Sequence, residues 1–103
     1  MANLINIGTI NDIPKLGARV VQSKQGDIAV FRTADDAIFA VLDSCPHKKG
    51  PLSQGIVSGH AVTCPLHNWR INLENGEAIA PDEGCTGRFT VHVEDDGQLF
   101  LEM

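Results

Sequence analysis

The stretch CPHKKGPLSQGIVSGHAVTCPLH, residues 45–67, contains two short segments that each carry one thiol and one imidazole. The first segment holds Cys45 and His47, the second holds Cys64 and His67, and sixteen residues separate the two pairs. Thiolate sulfur and neutral imidazole nitrogen are both good ligands for iron and for zinc. Four such residues in this order predict a metal centre that is held by two loops.

The mixed composition of each segment bears on which metal these residues bind. Structural zinc sites accept two cysteines and two histidines, but they usually take the cysteines from one close pair and the histidines from another. A two-iron cluster can instead place both cysteines on one iron and both histidines on the other. The pattern favours such a cluster, with a zinc site as the alternative.

The spacing C-x-H, sixteen residues, C-x-x-H resembles the ligand motif of Rieske [2Fe–2S] proteins. Two longer strings, CPHKKGPLSQGIVSGHAVTCPLHNW and GEAIAPDEGC, are similar to the small subunits of assimilatory NAD(P)H-dependent nitrite reductases. This likeness extends over most of the chain, from about Asn3 to Leu101.

The resemblance implies a cofactor, a function and a partner. Cys45, His47, Cys64 and His67 would bind a Rieske-type [2Fe–2S] cluster, and no residue of this chain would be catalytic. The chain would transfer electrons within a soluble nitrite reductase, whose large subunit holds FAD, a [4Fe–4S] cluster and sirohaem and reduces nitrite to ammonia. The closest alternative is the Rieske ferredoxin of an aromatic-ring dioxygenase system. A zinc-binding or cluster-free interaction module is an alternative of a different class.

Length, charge and cysteine content narrow these possibilities. A chain of 103 residues is expected to form one domain, residues 1–103. Its net charge of −5 argues against a nucleic-acid or anionic-membrane partner. No segment has the ~20 apolar residues of a membrane span, and the N-terminus lacks the features of a signal peptide. With two of its three cysteines bound to iron, Cys85 has no partner, which favours a reducing, cytoplasmic location.

Short apolar stretches that alternate with turn signals predict an all-β fold. The resemblance implies a Rieske-type arrangement of three antiparallel sheets, with a base of about residues 1–42 and 77–103 and a cluster-binding insert of about residues 43–76. Hairpin turns are expected at Gln25-Gly26, Ser58-Gly59, Asn75-Gly76 and Asp96-Gly97. The expected strands are residues 4–8, 18–23, 28–33, 38–42, 56–57, 61–63, 69–73, 90–94 and 98–101.

Several side chains near the predicted ligands have a second interpretation. Lys48 and Lys49 are either a solvated pair or a docking site for an acidic partner. Trp69 is expected to pack beneath the cluster loop. Pro81 is expected to begin a third loop that covers the cluster, and Cys85 is interpreted as a small buried residue near the cluster or a subunit contact.

Two histidines lie outside the ligand pattern. His60 follows Ser58-Gly59 and is expected to be exposed in a turn, without a function. His92 lies between two valines and is expected to point away from the core. Neither residue is predicted to bind metal.

The resemblance also predicts a low reduction potential. Hydrogen bonds to cluster sulfurs raise the potential, and high-potential Rieske proteins typically place Ser two residues and Tyr four residues after the last ligand histidine. Trp69 and Ile71 occupy those positions here, and the chain contains no Tyr. We expect a potential near the lower end of the Rieske range, about −150 mV.

Overall fold

Antiparallel β-strands make up most of the regular structure in the computed structural model, which describes residues 4–23, 26–44, 51–65, 69–79, 84 and 86–102. The predicted all-β fold is therefore confirmed, and most strand ends fall within two residues of their expected positions. Two 3₁₀ helices, Ile10–Asp12 and Leu52–Gln54, lie between strands. The strands are β1 (Leu4–Thr9), β2 (Ala18–Ser23), β3 (Gly26–Arg32), β4 (Ile38–Leu42), β5 (Ile56–Ser58), β6 (Ala61–Thr63), β7 (Arg70–Asn72), β8 (Arg88–Val93) and β9 (Gln98–Glu102).

Six strands in the order β1-β9-β8-β4-β3-β2 form what we term the base sheet. Strands β4 and β8 pair at only two positions, so the base sheet consists of two three-stranded halves. The Arg19 guanidinium of β2 donates a hydrogen bond to the Ile7 carbonyl of β1, with Nη1 and O 2.7 Å apart. Because β1 and β2 are the two ends of the strand order, the sheet curls until its ends meet.

A second sheet, which we term the small sheet, contains β5, β6 and β7. With the two halves of the base sheet, it accounts for the three antiparallel sheets that were expected. Val62 and Ile71 of the small sheet share a buried cluster with Ala29 and Phe31 of β3. The small sheet therefore packs on one face of the base sheet.

Strand β3 is buried on both faces. Ile28 and Val30 belong to the cluster that fills the curled base sheet, whereas Ala29 and Phe31 contact the small sheet. All four side chains are fully buried. A continuous apolar run is typical of a strand that is covered on both sides, and the sequence IAVF has this character.

The turns show where short-range sequence signals are sufficient. Gly59 and Gly97 adopt positive φ of 59° and 88° at two predicted turns, as glycine permits. The chain also reverses at Asn75-Gly76, as predicted, because Ile71 pairs antiparallel with Ala78 and Gly76 adopts a φ of 75°. The Gly76 carbonyl accepts a hydrogen bond from the Thr86 N–H at 2.8 Å, which ties the turn to a distant segment. The turn at residues 24–25 lies outside the described residues.

Candidate metal centre

Cys64 is the predicted ligand that the described residues include; Cys45, His47 and His67 lie outside them. Cys64 follows β6 directly, is 1% exposed and forms no disulfide. Its N–H donates a hydrogen bond to the Trp69 carbonyl at 2.6 Å. This bond closes the segment that contains His67 and continues the pairing of β6 with β7.

The residues on either side of the segment that contains Cys45 and His47 are bonded to each other. The Asp43 carboxylate accepts hydrogen bonds from the Ser53 N–H at 2.7 Å and from the Ser53 hydroxyl at 2.8 Å. Pro51, the residue directly before the 3₁₀ helix Leu52–Gln54, has no side-chain oxygen to cap that helix. Asp43 therefore provides the cap from ten residues away, as an acidic group can at a helix N-terminus. Sequence reasoning did not identify this pair, because no local motif links residues ten apart.

Gly55 brings the end of the first loop against the beginning of the second. A Cβ atom at Gly55 would lie 2.3 Å from the Thr63 carbonyl oxygen and 2.8 Å from Cγ2 of Val62. The backbone therefore passes β6 at a distance that only glycine allows, one residue before Cys64. The predicted hairpin of residues 56–57 and 61–63 brings residue 55 near Thr63, because Ile56 pairs with Thr63, but it did not indicate how close the contact is.

The residues that flank the third predicted loop are bonded to each other and to the end of β4. The Ala78 N–H donates to the Gly84 carbonyl at 2.8 Å, and the Leu42 N–H donates to the Gly87 carbonyl at 2.7 Å. Leu42 directly precedes Asp43, so the strand that leads into the first loop is bonded to the strand that leaves the third. Pro81 and Cys85 lie outside the described residues, and the expectations for them stay predictions.

Ile71 belongs to the buried hydrophobic cluster that includes Cys64, and Trp69 packs against this cluster. Trp69 is partly buried and packs against the cluster that includes Cys64, which confirms its predicted packing role. Ile71 is fully buried and presents no hydrogen-bond donor on its side chain. A tyrosine at position 71 would overfill this core, so its hydroxyl could not be tested by simple substitution.

His60 lies in the turn after Gly59, as predicted, but its side chain is only partly exposed. Its side chain is 34% exposed, and Nε2 lies 3.0 Å from Oδ2 and 3.2 Å from Oδ1 of Asp35. Nδ1 lies 3.6 Å from Oε2 of Glu74, and the ring lies against Phe39 with centroids 5.1 Å apart. The partial burial was not predicted because the three residues around the ring come from distant parts of the sequence.

These contacts shift two pKa values. The hydroxyl of Thr33, followed by the His60 ring, lowers the pKa of Asp35 to about 2. Hydrogen bonding to Asp35, followed by its charge and that of Glu74, raises the pKa of His60 above 6.5. His92 is exposed on β8, as predicted, and its Nε2 lies 2.8 Å from Oε2 of Glu102.

Among the described residues, no three His, Cys, Asp or Glu side chains converge as a metal site. Comparison with known proteins identifies the centre. The Rieske [2Fe–2S] domain model matches residues 3–91. The chain belongs to this family. Its cofactor is accordingly a Rieske-type [2Fe–2S] cluster, and it is an electron-transfer protein of the oxidoreductase type. The Cys64 thiol is buried, and a backbone hydrogen bond joins Cys64 to Trp69. Such a thiol fits a cysteine ligand of this cofactor.

Curated relatives of this Rieske chain include ferredoxins and parts of larger enzymes. Ferredoxin CarAc of Metapseudomonas resinovorans is 30% identical over 91% of this chain and 80% of its own length. The anthranilate 1,2-dioxygenase ferredoxin subunit of Burkholderia cepacia is 36% identical over 68% of this chain and 64% of its own length. The 4beta-methylsterol monooxygenase of Methylococcus capsulatus is 48% identical over 46 residues. That match spans 45% of this chain but only 12% of the monooxygenase.

Solved structures share the fold over nearly the whole chain. An NADH-dependent nitrite reductase small subunit from Mycobacterium tuberculosis has a TM-score of 0.89 and 17% identity, with 100% of this chain and 96% of that chain covered. The Escherichia coli protein NirD has a TM-score of 0.85 and 24% identity, with 100% and 98% covered. At these identities the two likenesses establish the fold. Among the described residues, no helix is long and apolar enough to cross a membrane.

Proposed function

We propose that this Rieske chain is the electron-transfer subunit of a nitrite reductase [NAD(P)H]. The observation that carries the proposal is the sequence of its three loops, CPHKKGPLSQG, CPLHNW and GEAIAPDEGC, which resemble those of nitrite reductase small subunits together rather than singly. Contacts among the residues that flank these segments are consistent with the proposal. Asp43 binds Ser53, Gly55 lies against β6, and Leu42 binds Gly87.

In this proposal Cys45 and Cys64 bind one iron of the cluster, and His47 and His67 bind the other. The cluster accepts and donates single electrons, whereas the protein positions it and controls access of solvent. The base, residues 1–42 and 77–103, supports the insert, residues 43–76. Asp43 and Ser53, which flank the first pair of proposed ligands in the sequence, are bonded to each other.

The partner is a larger subunit that carries FAD, a [4Fe–4S] cluster and sirohaem and reduces nitrite to ammonia. Lys48 and Lys49 adjoin the first ligands in a chain with a net charge of −5. A local positive site of this kind suits docking against an acidic surface. We place the assembly in the cytoplasm, where the free thiol of Cys85 would stay reduced.

A second candidate function is that of a Rieske ferredoxin that delivers electrons to a ring-hydroxylating oxygenase. The identities of 30% and 36% to two dioxygenase ferredoxins favour it. Both functions use the same cluster and differ in the partner that receives the electron.

The test is to co-express the chain with the large nitrite reductase subunit of the same organism and to purify the complex anaerobically. We expect the two chains to purify together, and NAD(P)H-dependent nitrite reduction to decrease when this chain is omitted. Failure to associate, combined with rapid electron transfer to an oxygenase component, would instead assign the ferredoxin function.

Metal analysis distinguishes the cluster from a zinc site. The expected result is two iron and two acid-labile sulfide per chain. One zinc with no sulfide would overturn both electron-transfer functions. A Cys64→Ser variant, purified in parallel, is the matched control for iron that is bound nonspecifically.

A further inference from the structure

We propose that protonated His60 is a latch that holds the small sheet on the base sheet, and that the latch opens when His60 loses its proton. The latch consists of His60, Asp35 and Glu74. His60 and Glu74 belong to turns of the small sheet, whereas Asp35 lies in the turn between β3 and β4 of the base sheet. The inference depends on neither candidate partner.

The geometry favours the imidazolium form of His60. Nε2 faces both carboxylate oxygens of Asp35 at 3.0 and 3.2 Å, and Nδ1 faces the Glu74 carboxylate at 3.6 Å. A neutral imidazole carries one N–H, so it can donate to only one of the two carboxylates. Its second nitrogen would then direct a lone pair at a negative charge. Loss of the proton therefore weakens one contact and makes it repulsive.

The other charged groups near this turn are already paired. Asp36 lies 2.9 Å from Nη2 of Arg32 and 3.8 Å from Nζ of Lys15. Thr33 is fully buried and donates its hydroxyl to Asp35. From β4, Phe39 contributes an apolar ring to the contact with His60. Asp35 and Glu74 are therefore the carboxylates that respond to His60.

The position of His60 at one end of the small sheet allows the latch to hold that end in place. The Leu73 N–H donates to the His60 carbonyl at 2.9 Å, which fixes the histidine backbone to the end of β7. From His60 the chain runs through β6 to Cys64, four residues later, over about 13 Å at the usual rise per residue. The latch thus holds the end of the small sheet that is opposite to Cys64. The ion pairs of His60 within the described residues are with Asp35 and Glu74, and Cys64, the predicted ligand among those residues, lies four positions further along the chain.

The pH range in which the latch is closed follows from the pKa shifts of His60 and Asp35. The pKa of His60 is raised, so its contribution is complete below about pH 6.5 and is lost as the pH rises through the higher folded value. The pKa of Asp35 is lowered to about 2, so its contribution is complete above its ordinary value of 3.8 and is lost only near pH 2. The latch is fully closed between these limits, from about pH 4 to 6.5.

The first measurement is the titration of His60 by NMR in the cluster-loaded protein with labelled histidine. We expect a pKa above 6.5 that decreases toward 6.5 in Asp35→Asn and decreases less in Glu74→Gln. Asp36→Asn is the matched control, because that neighbouring carboxylate binds Arg32 and Lys15 and should leave His60 unchanged. A His60 pKa at or below 6.5 in the native chain, or an equal effect of Asp36→Asn and Asp35→Asn, would overturn the latch.

The second measurement is amide hydrogen exchange of β5 to β7 in the loaded protein between pH 6 and 9, corrected for the intrinsic rate. We expect protection of these strands to decrease several-fold across this range, while the strands of the base sheet keep theirs. The decrease should be absent from His60→Gln, whose amide does not titrate. The same pH dependence in His60→Gln as in the native chain would show that another group is responsible and would refute the proposal.

Discussion

Replacing Gly55 with alanine tests whether close contact between the two ligand loops builds the metal centre. A Cβ atom at this position would lie 2.3 Å from the Thr63 carbonyl oxygen and 3.1 Å from the Leu52 carbonyl oxygen. An ordinary contact between carbon and oxygen is about 3.3–3.6 Å. One backbone segment must therefore move by about 1 Å, because both oxygens are main-chain atoms.

The expected loss of stability combines two opposing effects. Overpacking of a well-packed site costs about 1–3 kcal/mol. Gly55 has a φ of −80°, which alanine tolerates, so alanine also reduces the entropy of the unfolded chain and recovers about 0.4–1 kcal/mol. The net destabilisation is about 1–2 kcal/mol, which corresponds to a decrease in melting temperature of about 5–15 °C for a domain of this size.

The assay is thermal unfolding followed by circular dichroism, on protein samples with equal iron content. Gln54→Ala is the matched control, since that neighbouring side chain is exposed and its loss should change stability by no more than about 0.5 kcal/mol. The cluster of Gly55→Ala should also be lost faster than that of the control on incubation. An unchanged or higher melting temperature for Gly55→Ala would refute the contact.

Four further outcomes are expected. Cys64→Ser should lose the visible absorbance of the cluster while its far-ultraviolet spectrum keeps the strand signal, and intact cluster absorbance would end the assignment of this ligand. Ser53→Ala should reduce the free energy of unfolding by about 1.5–3 kcal/mol, because it removes a hydrogen bond to the Asp43 carboxylate; chemical denaturation measures this loss, and a change below 0.5 kcal/mol contradicts it. Replacing Lys48 and Lys49 with Glu should slow electron transfer in the assembled complex, an effect that decreases with added salt, and unchanged turnover would make them solvated residues. A redox titration should place the midpoint potential at about −150 mV. A value well above zero would contradict the expectation that a cluster without a tyrosine donor has a low potential.

Local sequence patterns were sufficient for the strands, most turns and the type of metal centre. Alternation at Ile71 and Leu73 indicated β7 correctly, and Gly59 and Gly97 indicated tight turns, because these properties depend on neighbouring residues. The order and spacing of Cys45, His47, Cys64 and His67 indicated the cluster for a related reason. Ligands that lie close in sequence on short loops must remain close in space.

Contacts between distant segments were not visible in the sequence. Asp43 accepts hydrogen bonds from Ser53, ten residues later, and no local motif predicts this pair. His60 read as an exposed turn residue, yet it lies between carboxylates 25 residues before it and 14 residues after it. Burial and pKa depend on which residues surround a side chain in space, and that arrangement arises from the packing of the two sheets through β3.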